Sequence, residues 1–516
     1  MVEHSTNFNR CTGSNQSNEK AKNNGLISSS SLLSIGSILL LIISLASPLF
    51  AQEDLKPVQI FGDSLMERSL TIDKIFVVGN RQTKEEIITR ELSVKTGENY
   101  GYGDLKEILL KDHQKINNTR LFLTVQINVI PFSAGKADII IRVKERWYLV
   151  PSPFVNFIDR NFTAWLQNQD ADLGRVVYGF RFYKYNFRGR NERLFLFAQL
   201  GFTKRFAINY SIPYVDKSQK NGLIFDIAYL EQDNIDYRTS APTPEEDHEF
   251  IFTQDLRRAQ VSRAARVGWV FRPNFFKRHQ VNLSYNQLNI SDTVLELNPN
   301  YLATGTNRQR YLQIDYRFTN DQRDVAAYPV EGSYFTIAGE KLGLGIFNEV
   351  NITRLSGSYS NYNKIGKKLY FAFGGKGFVT FPGNQAYINL KGYGYNRDWS
   401  RGYETRVIQG NAYLIQQNTL RWKLFDRVFD LDNIVPIDQF NTLPFAIYLK
   451  VFADQGYVFN NDSPDQFVST RLANRYLYGG GVGLDIVSFY DFVLRMENAW
   501  NAQGEYNFNF SLRAAF

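Results

Sequence analysis

Closely spaced glycines let backbone N–H groups cradle a phosphate, so Gly479-Gly480-Gly481-Val482-Gly483 is the first place to look for chemistry. The run lacks the Lys-Ser/Thr pair that a phosphate loop places next. It also sits inside an alternating, strand-like segment, so it reads as close packing between strands. The histidines are His4, His113, His248 and His279, isolated from one another and without metal-ligand spacing. No G-x-S-x-G nucleophile elbow occurs. Cys11 is the single cysteine, and it precedes the first apolar run, where it cannot be a lipid-attachment site. The expectation is a protein that is not an enzyme and holds no cofactor and no metal.

The side chains left to work with are those whose position alternates. Tyr506, Phe508, Phe510, Leu512, Ala514 and Phe516 take every even position, and Asn507, Asn509, Ser511 and Arg513 the odd ones. A period of two sends one set to each face of a strand. Leu312, Ile314, Tyr316 and Phe318 repeat the pattern against Gln313, Asp315 and Arg317. Val281, Leu283 and Tyr285 repeat it against Asn282, Ser284 and Asn286. A soluble β-sandwich also alternates, but here charges recur on the polar face from about residue 149 to the end. An apolar outside and a polar inside are what lipid and a wet interior demand of a membrane barrel.

The alternating segments lie near 149–158, 173–186, 191–203, 205–213, 221–232, 258–271, 278–290, 309–319, 333–343, 348–361, 368–379, 409–424, 444–454, 475–487, 491–500 and 505–516. That makes sixteen, an even number, as single-chain bacterial barrels require. Residues 425–443 form an unusually long connection on the inner side. Pro151 and Pro153 each remove a ladder donor from the first strand. A poor seam is therefore expected between that strand and the last one, which carries Phe510 and Phe516.

The N-terminus supplies the export route. Residues 1–25 are polar and carry Arg10, Lys20 and Lys22, and an apolar run follows with its core from Ile38 to Ala46. This is the form of a cleavable signal peptide, 1–51, cut after Ala51. The alternative is an uncleaved anchor helix, against which the run is short. After cleavage 465 residues remain, without cysteine and with a net charge of +7. The excess is spread out, which suits an anionic lipid surface and gives no polybasic block for nucleic acid. Beyond residue 51 no apolar run approaches a membrane helix, so a chain that spans must do so as a closed barrel.

Between a 52–70 linker and the first barrel strand, residues 71–147 read as a small α+β unit of order β-α-α-β-β. Ile72, Ile75, Val77 and Val78 form the first strand. Thr83 with Glu86 makes a capping box for a helix through Ile87, Ile88 and Leu92. A second helix starts near Tyr102, and two strands close the unit at Leu121–Ile130 and Ala137–Lys144.

Through Val78-Gly79-Asn80-Arg81-Gln82-Thr83, Leu121-Phe122 and the run from Ile139 to Glu145, this unit resembles a POTRA domain. Residues 148–516 resemble the barrel of the BamA/TamA-like outer-membrane assembly family, the bacterial surface antigen type. Four stretches carry that likeness: Asn186-Phe187-Arg188-Gly189-Arg190-Asn191-Glu192; Asn320 to Asp324 with Tyr328-Pro329-Val330-Glu331-Gly332; Arg401-Gly402-Tyr403; and Phe452-Ala453-Asp454-Gln455-Gly456. The resemblance implies an all-β transmembrane barrel of sixteen antiparallel strands, with one POTRA-like domain in the periplasm. It implies that the sixth outer loop folds inward, so that Arg401 meets Asp454 of the wall motif Phe452, Asp454 and Gly456, Gly402 permits the turn and Tyr403 packs on the wall. Glu404 follows that signature and is given no separate role.

The function implied is insertion of other barrels into the outer membrane, or passage of chains across it. The partners are outer-membrane lipid, unfolded outer-membrane clients, and periplasmic or lipoprotein subunits at the POTRA domain. Two alternatives stay open: a transporter dedicated to one secreted substrate, and a structural subunit or pore. A single POTRA unit departs from the several that assembly factors commonly carry.

Overall fold

The computed structural model describes residues 57–60 and 69–513, apart from 134, 158–175, 241–248, 254–255, 303, 384, 391, 395–397, 399, 405, 407, 432–441, 461–471 and 489–490. The expected signal peptide and Phe516 lie outside these.

The N-terminal domain holds β1 (Val58–Ile60), β2 (Ser69–Val78), α1 (Glu85–Thr89), β3 (Asn99–Gly101), α2 (Tyr102–Asn118), β4 (Phe122–Ser133) and β5 (Lys136–Glu145). Its sheet runs in the order β1-β4-β5-β2-β3. On α2, Leu105, Leu109 and Ile116 recur at helical spacing and are fully buried with Ile127, Val129, Ile139 and Ile141 of the sheet. Each such side chain contributes about 1.5–3 kcal/mol of burial.

Three expectations are corrected here. The domain has five strands, because β1 comes from the stretch read as linker and β3 immediately precedes α2. Three-residue strands are too short to display a period. The first helix stops at Thr89, before Leu92. No capping box forms: the N-cap is Lys84, without a side-chain cap bond. The Thr83 hydroxyl instead donates to Glu145 Oε1 at 2.5 Å and lies 3.0 Å from the Tyr148 hydroxyl. A charge-assisted bond to a carboxylate outcompetes a helix cap.

Downstream lie β6 (Leu149–Phe157), β7 (Val176–Phe187), β8 (Glu192–Gly201), β9 (Thr203–Ile212), β10 (Asn221–Gln232), β11 (Asp236–Ser240), β12 (Glu249–Phe252), β13 (Gln260–Phe271), β14 (Lys277–Ile290), α3 (Asp292–Leu297) and β15 (Arg308–Asp321). They are followed by β16 (Gly332–Leu342), β17 (Ile352–Lys364), β18 (Leu369–Phe381), β19 (Ala412–Asp430), β20 (Thr442–Phe459), β21 (Tyr476–Ser488), β22 (Val493–Asn501) and β23 (Tyr506–Arg513). β11 and β12 form a separate hairpin, and the other sixteen make one antiparallel meander from β6 to β23. Its apolar face is exposed, as at Ile227, Leu283 and Phe508, while its polar face buries Asn282, Lys450 and Asp485.

The long connection expected over 425–443 shortens to 431–441, because β19 continues to Asp430 and β20 begins at Thr442. A bulge between Lys423 and Phe425 shifts the register there. An extra residue breaks the period of two without ending the strand.

The N-terminal domain sits against the turns at one end of this sheet. Arg272 makes a two-pronged contact with buried Glu91, at 2.9 and 3.0 Å. The Lys84 N–H donates to the Gly189 carbonyl at 3.0 Å, and Asn186 Nδ2 donates to the Thr83 hydroxyl at 2.8 Å. Asn118 Nδ2 reaches the Arg323 and Asp324 carbonyls, and Arg120 and Arg146 flank Asp491. Two of the family-like stretches, 186–192 and 320–332, are thus docking turns for this domain. Gly189 has φ +71, and a Cβ there would collide with the Gln82 carbonyl oxygen.

Candidate functional site

The connection between β18 and β19 turns back onto the polar face of the sheet and brings Arg401 onto Asp454. Arg401 Nε donates to Asp454 Oδ2 at 2.8 Å and Nη2 to Oδ1 at 2.6 Å. The Arg401 backbone N–H adds a bond to Oδ2 at 2.9 Å. Nη2 also reaches the Thr419 hydroxyl at 2.9 Å and the Asn418 carbonyl at 3.1 Å. The guanidinium lies over the Phe452 ring, 4.0 Å from its centroid. The Asp454 side chain is fully buried, so its charge depends on this fork.

Gly402 has φ +97, and a Cβ there would press on the Trp500 carbonyl. Its own carbonyl accepts from Asn501 Nδ2 and Asn507 Nδ2 at 2.9 and 2.7 Å. These bonds tie the loop to β22 and β23. Tyr403 is fully buried, edge-on to Tyr393 with ring centroids 6.3 Å apart. Its hydroxyl donates to the Tyr478 carbonyl at 3.4 Å and accepts from the Ala502 N–H at 3.3 Å. A Cβ on Gly456 would come 3.2 Å from both Ser400 Oγ and the Tyr393 ring. Arg401, Gly402, Tyr403, Phe452, Asp454 and Gly456 therefore share one site.

Sequence reading missed several members. Glu404 closes the turn by accepting the Gly402 N–H at 2.9 Å, and burial raises its carboxyl pKa above the ordinary range. Arg401 Nη1 lies 3.7 Å from Glu497. Glu497 contacts Lys450 at 2.7 Å, and Lys450 contacts Asp485 at 2.5 Å. Asp485 accepts the Tyr328 hydroxyl at 2.8 Å. A polar chain thus crosses the sheet from the inturned loop to the turn that docks Asn118. Register explains it: Lys450 pairs with Gly483, one residue from Leu484↔Leu449 and two from Asp485↔Tyr448. Such neighbours sit dozens of residues apart in sequence.

The glycine run is the floor of the docking site as well as strand packing. A Cβ on Gly479 would collide with the Arg401 carbonyl, and one on Gly481 with the Asn498 carbonyl and the Phe452 ring.

The seam residues divide. Pro151 and Pro153 are exposed on β6, opposite Phe182 and Phe180 of β7. Phe510 stands on β23, largely exposed on the apolar face. β6 and β23 are the two ends of the sheet order, and among the described residues no ladder joins them.

A sixteen-stranded, two-faced antiparallel meander with an inturned loop follows a small α+β domain. The Omp85 superfamily domain matches residues 186–516, and the chain belongs to that superfamily. This places it in the bacterial outer membrane. Among solved structures, CdiB from Escherichia coli is similar over 95% of this chain and 98% of its own, at 11% identity and TM-score 0.50. BamA from Haemophilus ducreyi lacking POTRA domains 1–3 is similar over 86% of this chain and 84% of its own, at 16% identity and TM-score 0.47. No curated protein matches the chain.

Proposed function

We propose that this protein inserts other β-barrel proteins into the outer membrane, with β6 and β23 as the site of exchange and the N-terminal domain, in the periplasm, as the client-receiving surface. The signal peptide over residues 1–51 brings it there. The observation that carries the reading is the composition of β6, whose Pro151 and Pro153 cannot donate ladder hydrogen bonds. A seam made with such a strand is weak, and its unpaired N–H and C=O groups can pair with an incoming strand. The Arg401–Asp454 contact supports this role by bracing β19 and β20 from inside while the seam works. No covalent chemistry is needed.

Depletion in the host followed by quantitative proteomics of the outer membrane tests the reading. Many unrelated barrels falling together is the expected result. Loss of a single secreted or surface protein identifies a dedicated transporter instead, and an unchanged proteome makes the chain a structural subunit.

A further inference from the structure

The register across β9, β10, β13, β14 and β15 sorts the outward side chains into rows. One row is Ile212, Leu223, Trp269, Val281 and Tyr316, and the next is Tyr210, Phe225, Val267, Leu283 and Ile314. A third, Ile208, Ile227, Ala265, Tyr285 and Leu312, is the last apolar one. The row beyond it, away from the N-terminal domain, is Phe206, Tyr229, Arg263, Gln287 and Arg310, and then come Lys204, Glu231, Val261, Asn289 and Arg308.

Cations thus gather abruptly where the apolar belt ends. Lys204 and Arg258 share Glu231, and Arg310 is held by Glu349. Arg263 and Arg308 are exposed, with no carboxylate in salt-bridge range among the described residues. Between β13 and β14 lies a notch of about 350 Å³ lined by Arg258, Val261, Arg263, Asn289 and Ile290.

We propose that this ledge binds the phosphate groups of a phosphorylated lipid in the outer leaflet. Guanidinium forks match phosphate oxygens in pairs. The row directly below, Ile227, Ala265, Tyr285 and Leu312, offers apolar surface for acyl chains, which free phosphate would leave unused. A molecule with both a phosphate head and hydrocarbon tails fits both rows. The placement in the outer leaflet rests on the orientation given under the proposed function.

The test uses the full chain in detergent and a bis-phosphorylated glucosamine lipid, with its dephosphorylated, chain-matched form for comparison. Combining Arg263→Gln with Arg308→Gln weakens binding of the phosphorylated lipid at least about tenfold. The same change at the other end, Lys277→Gln, leaves it unaltered, and Arg263→Lys keeps part of it. Heat-modified gel mobility confirms that each variant is folded. Equal binding of the two lipids, equal binding by the double variant, or displacement of the lipid by millimolar inorganic phosphate overturns the site. Binding in detergent is indifferent to orientation, so cleavage of the 291–307 connection beside the ledge only from the periplasmic side would overturn the outer-leaflet placement and leave the phosphate-lipid site itself standing.

Discussion

The carbonyl oxygen of Arg401 occupies the space that a Cβ at position 479 would need. The inturned loop and β21 therefore meet backbone to backbone, and only glycine allows it. Gly479→Ala must push the loop off the wall or bend the strand. Overpacking of this kind costs about 1–3 kcal/mol. The expected result is faster protease cleavage near residue 401 in the folded protein, with gel mobility of the folded form retained.

Arg401→Ala leaves the Asp454 carboxylate buried and unpaired, and breaking a buried pair costs about 3–5 kcal/mol. Removing both charges with Arg401→Met and Asp454→Leu recovers a large part of that loss. Thermal unfolding in detergent measures both. A single-variant effect below about 1 kcal/mol would mean the pair is no more than a surface contact.

Arg272 and Glu91 hold the N-terminal domain to the β13–β14 turn. Arg272→Ala leaves Glu91, which is 2% exposed, with Arg90 Nε alone at 3.4 Å, and broadens the distance distribution between spin labels on the domain and the sheet. Arg272→Lys keeps the charge without the fork and restores only part of the order.

His113 lies on α2 with Nε2 3.0 Å from the Val125 carbonyl, and burial lowers its pKa below the ordinary 6.5, the carbonyl opposing. In the unfolded chain His113 takes a proton near pH 6.5, while in the folded domain it does so only at lower pH. Its contribution is complete above pH 6.5 and is lost as pH falls through the folded value. Hydrogen exchange of α2 and β4 should rise as pH drops below 6.5, after correction for intrinsic rates. His113→Gln flattens that dependence.

Much of the sheet was legible because a period of two depends on local sequence alone. All sixteen strands of the meander were anticipated, whereas the pairing of Arg401 with Asp454 was implied by the family resemblance of their motifs and not by local sequence. What escaped has physical causes. β1 and β3 are too short for a pattern, and the Lys423–Phe425 bulge hides the end of β19. Thr83 fits a cap by sequence, but the fold offers its hydroxyl the Glu145 carboxylate, 62 residues away. Glu497, Lys450 and Asp485 belong to three strands whose register is set by pairing, which no single segment records.

The exchange of strands at the β6–β23 seam is the central claim, and a disulfide across it is the most direct test. Cys11 is the chain's single cysteine, so once it is removed Ser152→Cys on β6 is combined in turn with Asn509→Cys and with Ser511→Cys on β23, and the pair that oxidises to a cross-link is used. The measurement is the insertion rate of an unfolded barrel client into liposomes holding the oxidised protein, and again after reduction. Insertion that stops when the seam is linked and returns with reductant is the expected result. An unchanged rate in protein shown to be fully cross-linked would contradict it.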